Sequence, residues 1–304
     1  MNKDTPWPVM VLAHNEEDRI VDCLDSIVRA EGDRRLEAYV MANGCTDRTE
    51  NIVQDYATRH SDVKLVSILL GDKCNAWNVF VHEIVPTYCP NRDVYFFMDG
   101  DARVAPASFS NMANALSTDP VAHAASAVPG SGRNAASDRA EILERNGLVA
   151  NLYALRGLFV EQLRNKDVRL PLNLEGDDGL LGALIKWDLA PPRPWNHHLI
   201  HPCADAIFEF DPVPITELAE WPKYLRRLVR YGRRHFEFEL LRSRLRRLGL
   251  NGLPKDIREL YPEAENLRLP WRGVHTLPFL LALWEMRKIG KQCQRTNKEK
   301  CSDN

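Results

Sequence analysis

Apolar and polar positions alternate along the first third of this chain in two rhythms. WPVMVLA, from Trp7 to Ala13, is a short apolar run and predicts a buried strand. LEAYVMA (36–42), VKLVSILL (63–70) and DVYFFMD (93–99) predict three more. Between the first two, NEEDRIVDCLDSIVRA repeats with helical period: Ile20, Cys23, Leu24, Ile27 and Val28 share one face, and Asn15 is placed to cap it. Further helices are expected from Thr49 to about Arg59 and from Ala76 to Ile84. Strands separated by helices predict an α/β fold, with a Rossmann-like, mainly parallel sheet and helices on both faces. In such sheets ligands bind beyond the carboxyl ends of the strands. NGCTD, GDK and DGD all fall there.

The middle of the chain is less regular. VPGSGRNAASDRAE (128–141) reads as a loop, either a linker or a lid. NGLVANLYALRGLFVEQL (146–163) reads as helix, and LNLEGDDGLLGALIKW (172–187) as a turn followed by a helix. The character changes near Pro214. EWPKYLRRLVRYGRRHFEFELLRSRLRRLG (220–249) predicts a long helix crowded with arginine, and LPFLLALWEM (277–286) a docked amphipathic helix. This divides the chain into an α/β domain, 1–213, and an Arg-rich helical C-terminal extension, 214–304.

Bulk composition changes the picture little. The net charge of −2 gives no global bias toward nucleic acid or membrane, so any basic patch is local. The 7 cysteines contain no C-x-x-C pair, which points to a reducing compartment and away from structural zinc. The N-terminus lacks the apolar core of a secretory signal, and no segment has the roughly 20 apolar residues that span a bilayer. A cytoplasmic protein is expected, with contact at a membrane surface left open.

Asp99 and Asp101 stand at strand end with one glycine between them. Residues i and i+2 of a strand point the same way, so the two carboxylates can face one cation. Carboxylates without thiolates suit Mg2+ or Mn2+. The alternative is a solvated turn, since Asp-Gly also marks turns. Asp177 and Asp178 either cap a helix or supply a general base, because adjacent carboxylates raise one another's pKa.

AHNEEDRIVDCLDSI, NGCTDRTENIV, GDKCNAWN, YFFMDGDARV, NLYALRGLF and EGDDGLLGAL occur in this order. With them the sequence resembles the family 2 glycosyltransferases of GT-A fold, over about residues 8–189. The resemblance implies a metal-dependent transfer of a sugar from a nucleotide-diphosphate donor to an acceptor hydroxyl. It implies that Asn15 and Glu16 or Glu17 line the nucleotide pocket and that Asn43, Gly44, Thr46 and Asp47 hold the nucleoside. Lys73 and Asn78 match a further donor-binding segment, and Arg156 a position on the acceptor side. Asp99 and Asp101 would hold the metal and the donor diphosphate. Asp178 would be the general base of an inverting reaction, with Asp177 beside it at the helix cap. A histidine sometimes completes the metal site in such enzymes, and His201 is the candidate in NHHLIHPC, a surface loop being the alternative. RLVRY departs from the family's Q-x-x-R-W, which argues against processive synthesis. Arg227 and Arg230 either grip diphosphate or form a solvated basic face.

A UDP-sugar is the default donor, with GDP- and dTDP-sugars open, since Ala42 stands where family members often carry an acid. The acceptor is a hydroxyl compound, glycan or lipid-linked, and no nucleic-acid partner is expected. Rival readings are a retaining transferase on the same core and a non-catalytic nucleotide-sugar-binding module. A haloacid-dehalogenase-like phosphotransferase is disfavoured because its lysine would follow the aspartates, whereas Lys73 precedes them. The apolar side of the Arg-rich helix fits either a membrane surface or packing on the catalytic domain.

Overall fold

The computed structural model describes residues 5–30, 32, 34–211, 221–273 and 276–302, side chains in 221–224 and 294–302 aside. The expected domain boundary at 213/214 lies outside the described residues. Eight strands form one sheet: β1 (Trp7–Ala13), β2 (Leu36–Asn43), β3 (Val63–Ile68), β4 (Val94–Asp99), β5 (Ala102–Val104), β6 (Ala124–Pro129), β7 (Leu152–Arg156) and β8 (Ile200–Phe210), in the order β3-β2-β1-β4-β7-β6-β8-β5. The half from β3 to β4 is parallel, as expected. Beyond β4 the sheet is mixed: β7 runs antiparallel to β4 and β6, and the edge strand β5 antiparallel to β8. That half contains the segment expected to be one helix. Residues 146–151 are irregular, Leu152–Arg156 forms β7, and only Gly157–Asn165 is helical (α7). The apolar run from Leu152 to Leu155 is buried on both faces, which masks the strand period.

The other helices are α1 (Ile20–Arg29), α2 (Thr49–Arg59), α3 (Lys73–Val79), α4 (Val85–Tyr88), α5 (Ser108–Thr118), α6 (Ala135–Arg145), α8 (Asp177–Lys186), α9 (Trp221–Leu248) and α10 (Thr276–Ser302). A π-helical turn, Phe80–Ile84, joins α3 to α4. Two expectations fail locally. Asn15 does not cap α1, which starts at Ile20, because residues 14–19 are drawn into a turn. The expected loop at 128–141 contains the start of α6.

Alternation along β4 builds two cores. Val94, Phe96 and Met98 face one side, where Leu24, Val53, Phe109 and Leu116 of α1, α2 and α5 cover them. Tyr95 and Phe97 face the other, against Trp77, Phe80, Phe159 and Leu180. That second core continues without a break into α9 and α10 through Phe236, Leu240, Leu241, Leu245 and Leu283. Each such side chain contributes roughly 1.5–3 kcal/mol by leaving water. Phe236, Leu241 and Leu245 of α9 are fully buried against the catalytic part and so are not free for a membrane surface, whereas Leu225 and Leu248 at the ends of the same helix are exposed. Among the described residues no helix is long and apolar enough to cross a membrane.

Candidate active site

The loops that leave β1, β2, β3 and β4 meet at one edge of the sheet and are tied to one another. Asn15 adopts a left-handed backbone (φ 57°), which its short polar side chain tolerates. Its Oδ1 accepts from the Thr46 N–H (2.8 Å) and the Asp47 N–H (3.3 Å). Asp47 accepts in turn from the Glu17 N–H at 3.1 Å and the Thr49 N–H at 2.9 Å. Burial opposes ionisation of Asp47, but these hydrogen bonds prevail and hold its carboxyl below the usual range. Glu17 turns outward and accepts from Arg48 N–H and Nε, at 3.2 and 3.0 Å. Asn43 is buried, and its Oδ1 accepts from the Asp72 N–H at 2.9 Å. Asn78 is buried too and pairs in both directions with the Leu170 backbone at 2.8 Å. Side chains expected to meet the nucleotide thus brace the loops that shape this edge.

The acids converge beside them. Asp99 Oδ1 accepts from Lys73 Nζ at 3.0 Å, and the same ammonium lies 3.4 Å from Asp177 Oδ2. Asn151 Nδ2 approaches Asp99 Oδ2 at 3.4 Å. Burial alone would discharge Lys73, but Asp177 and Asp99 outweigh it and keep the ammonium charged. On the other side, Arg19 lies 2.8 Å from Glu16 Oε2 and 3.8 Å from Asp101 Oδ2. Burial, and then the charge of Asp101, push the Glu16 carboxyl up to about 7. Burial and the neighbouring Asp99 raise Asp101 as well. Of the two candidate glutamates, Glu16 is the one that shares the field of the aspartates.

Asp177 and Asp178 occupy the first turn of α8, where the helix dipole favours negative charge. Neither caps the helix: the cap position is Gly176, with no side-chain hydrogen bond. Asp178 Oδ1 accepts from its own helix at Gly179 N–H and lies 2.8 Å from Arg234 Nη2 of α9. Burial and the charge of Asp177 raise the Asp178 pKa, while Arg234 and Lys73 restrain the rise. The preceding Glu175 is clamped by Arg230 Nε (2.8 Å) and Arg233 Nη1 (3.1 Å). Its N–H donates to Glu237 Oε2 at 2.9 Å. Arg230 is thus committed to Glu175, and Arg227 donates to Tyr231 Oη at 2.9 Å on the exposed face of the same helix.

Two predicted residues lie elsewhere. Arg156 pairs across the sheet with Val94, at the opposite end of β4 from Asp99. Six strand residues separate those ends by roughly 17 Å. Its guanidinium donates to the carbonyls of Leu116, Asp119 and Ala122 and fastens the end of α5. His201 lies on β8, three strands from β4 and so about 14 Å across the sheet. Its Nδ1 lies 3.1 Å from Asp119 Oδ2. The geometry does not bring Arg156 or His201 to the carboxylates.

Sequence reading passed over Arg19, Asn151, Arg234 and Glu237. Arg230, Arg234 and Glu237 were detectable in principle, since spacings of four and three put them on one helical face. Nothing local distinguishes Asn151.

The chain superposes on a mannosyltransferase, PcManGT from Pyrobaculum calidifontis, solved with GDP-Man and Mn2+: TM-score 0.58 and 20% identity, over 95% of this chain and 84% of that one. S. aureus TarS 1-349 in complex with UDP follows at TM-score 0.50 and 15% identity, over 89% of this chain and 94% of that one. At these identities the likeness establishes the fold, the GT-A type that the motif order implied. No curated protein matches the sequence. The family described as Glycosyl transferase family 2 matches residues 9–168, more than half of the chain, and the chain belongs to that family.

Proposed function

We propose that the protein transfers a sugar from a nucleotide-diphosphate donor to an acceptor hydroxyl with inversion at the anomeric carbon. The observation that carries this reading is the bridge Asp99–Lys73–Asp177, which sets the donor-side carboxylates beside the first turn of α8. The family and the two superposed structures, one with a nucleotide sugar and one with UDP, support it.

The donor set fits a divalent cation. The carboxylates of Asp99 and Asp101 add to the burial that raises the proton affinity of Glu16, and Asp99 does the same to Asp101, so a hard cation would relieve that excess of negative charge. Among the described residues no group of three or more His, Cys, Asp or Glu side chains is arranged to hold a metal ion. Asp99 and Asp101 would hold Mn2+ or Mg2+ as a pair, with diphosphate oxygens as the further ligands. Such an ion supplies Lewis-acid stabilisation of the leaving diphosphate. The chain's own residues do the rest. Lys73 adds a fixed positive charge next to Asp99, and Arg19 a second one next to Asp101. Asp178 takes the proton of the acceptor hydroxyl, and the freed oxygen attacks the anomeric carbon from the face opposite the leaving group.

The test is the anomeric configuration of the product by NMR, with a donor chosen by screening UDP, GDP and dTDP. Inverted product supports Asp178 as base; retained configuration overturns it. Loss of donor binding in Asp101→Ala supports the metal site, and unchanged metal-dependent binding overturns it.

We assign peripheral membrane contact to α10 rather than α9. Leu277, Leu280 and Trp284 recur at helical spacing and are 58%, 46% and 58% exposed. Lys288 lies over the Trp284 ring, and Arg268 is exposed nearby in sequence. An apolar stripe with Lys288 beside it suits an anionic lipid surface.

A further inference from the structure

A cavity opens between the start of α8 and the helices α9 and α10, linked to the Asp178 carboxylate through Arg234. Its volume is about 480 Å³, within the range of small-molecule sites. Trp195, Tyr231, Phe238 and Phe279 contribute aromatic walls, and Arg234 and Arg272 supply charge. Gly176 and Gly179 form part of the lining, and the Arg234 side chain lies across both: a Cβ at Gly176 would meet Arg234 Cγ at 2.9 Å. Arg234 therefore belongs both to this cavity and to Asp178, 2.8 Å away.

The charge inside is lopsided. No carboxylate is among the lining residues. Arg234 is neutralised by Asp178. His235 also lines the cavity, and burial and then Arg272 lower its pKa, so it adds no charge at neutral pH. Arg272 stacks on Phe279, with its guanidinium carbon 4.8 Å from the ring centroid. Stacking leaves the in-plane N–H groups free to donate. Among the described residues no carboxylate lies in ion-pair contact with Arg272.

We propose that this cavity is the acceptor subsite and that the acceptor carries an anionic group, a phosphate or carboxylate, gripped by Arg272. This rests on the transferase reading above, because Asp178 is what makes the cavity an acceptor site. Aromatic faces cover a sugar ring or an alkyl chain, the guanidinium fork matches phosphate or carboxylate oxygens, and Arg234 orients the acceptor while it holds the base.

The test is calorimetric binding to the full chain, with phenyl phosphate as probe and neutral phenyl β-glucoside as control. Phenyl phosphate is expected to bind at least ten times more tightly than the glucoside. Arg272→Ala should erase that preference, and Arg272→Lys should restore part of it. Equal binding of the two probes, or undiminished phenyl phosphate binding in Arg272→Ala, overturns the proposal. Hexyl phosphate and glucose 6-phosphate then separate the two sources. Tighter binding of the first supports a lipid headgroup, tighter binding of the second a soluble sugar phosphate, and binding of neither overturns the subsite. Thermal shifts with UDP and GDP, with and without Mn2+, are run on the same variants. Their absence in the wild type counts against the transferase reading alone, whereas Arg272→Ala should leave them unchanged.

Discussion

The Arg234 guanidinium of α9 lies 2.8 Å from the Asp178 carboxylate at the start of α8, so the helical extension reaches the candidate base directly. Arg234 favours the ionised carboxylate and restrains a pKa that burial and Asp177 push upward. Arg234→Gln is therefore expected to raise the Asp178 pKa further. A base works only when deprotonated, so the acidic limb of the kcat/KM profile should move to higher pH. Asp178→Asn should lower kcat by about 10²–10⁴-fold without loss of fold. A limb that stays in place in Arg234→Gln would count against Asp178 as the titrating base.

Donor binding is predicted to need the metal and Asp101 together. At a hundred times its dissociation constant a ligand stabilises by about 2.7 kcal/mol. In a chain of this size that is a rise in Tm of roughly 2–4 °C. One of UDP, GDP and dTDP should give this shift with Mn2+, a smaller one after chelation, and none in Asp101→Ala. A shift of equal size with and without metal would remove the cation from the account.

The glycine between the two aspartates is predicted to be indispensable. Gly100 donates its N–H to the Leu12 carbonyl at 2.7 Å, where β1 and β4 end together. A Cβ there would sit 2.8 Å from that carbonyl oxygen and 3.3 Å from Ala13 Cα. Both neighbours are backbone, so Gly100→Ala must push β4 away from β1. A loss of about 1–3 kcal/mol is expected in denaturant titration. The nucleotide-dependent thermal shift should fall with it. Gly179→Ala is the control, since its Cβ would meet only the Arg234 side chain, at 3.5 Å. Equal stability of the two variants would contradict the packing argument.

These residues also show what could be read from the chain beforehand. The parallel half of the sheet was legible because unbroken apolar runs such as Val94–Met98 stop at polar turns, and the convergence of Lys73 and Asp99 followed from their places after strand ends, whereas Asp177 was placed only by the family resemblance. The antiparallel half was not. Leu152–Leu155 is buried on both faces, so its apolar run fits helix and strand equally. Arg156 and His201 were misplaced for the same reason, since direction in a mixed sheet decides which end a residue reaches. The roles of Asn15 and Asn43 were hidden because an amide that braces a loop and one that meets a ligand look alike in sequence.

Membrane contact through α10 predicts salt-sensitive binding to anionic vesicles. The full chain should sediment with phosphatidylglycerol liposomes at low ionic strength and less at high, because the basic part of the attraction is screened. Trp284→Glu and Leu280→Glu remove apolar area and add repulsion on one face. Both should abolish sedimentation without a change in Tm, as the two side chains are exposed. Sedimentation unchanged by these substitutions would move the contact elsewhere.

The buried Glu237 carboxyl sets a pH dependence of stability. It is fully buried, with Oε2 accepting from the Glu175 N–H and Oε1 from Tyr261 Oη at 2.6 Å. Burial raises its pKa to about 7; the hydrogen bonds from Tyr261 and the Glu175 N–H oppose the rise, the Glu175 charge adds to it, and Arg233 opposes it. The folded state thus holds a proton that the unfolded state has released. The contribution is fully present below the ordinary carboxyl pKa of 4.5 and is lost as pH rises toward about 7. It amounts to about 3 kcal/mol at most. Glu237→Gln keeps the shape and the acceptor for the Glu175 N–H but cannot ionise. Its stability should fall less between pH 4.5 and 7 and exceed that of the wild type at pH 8. Parallel curves for the two proteins in urea titrations across this window would show that Glu237 ionises freely in the folded state. The turn that carries Asp177 and Asp178 would then owe its position to Arg230 and Arg233 instead.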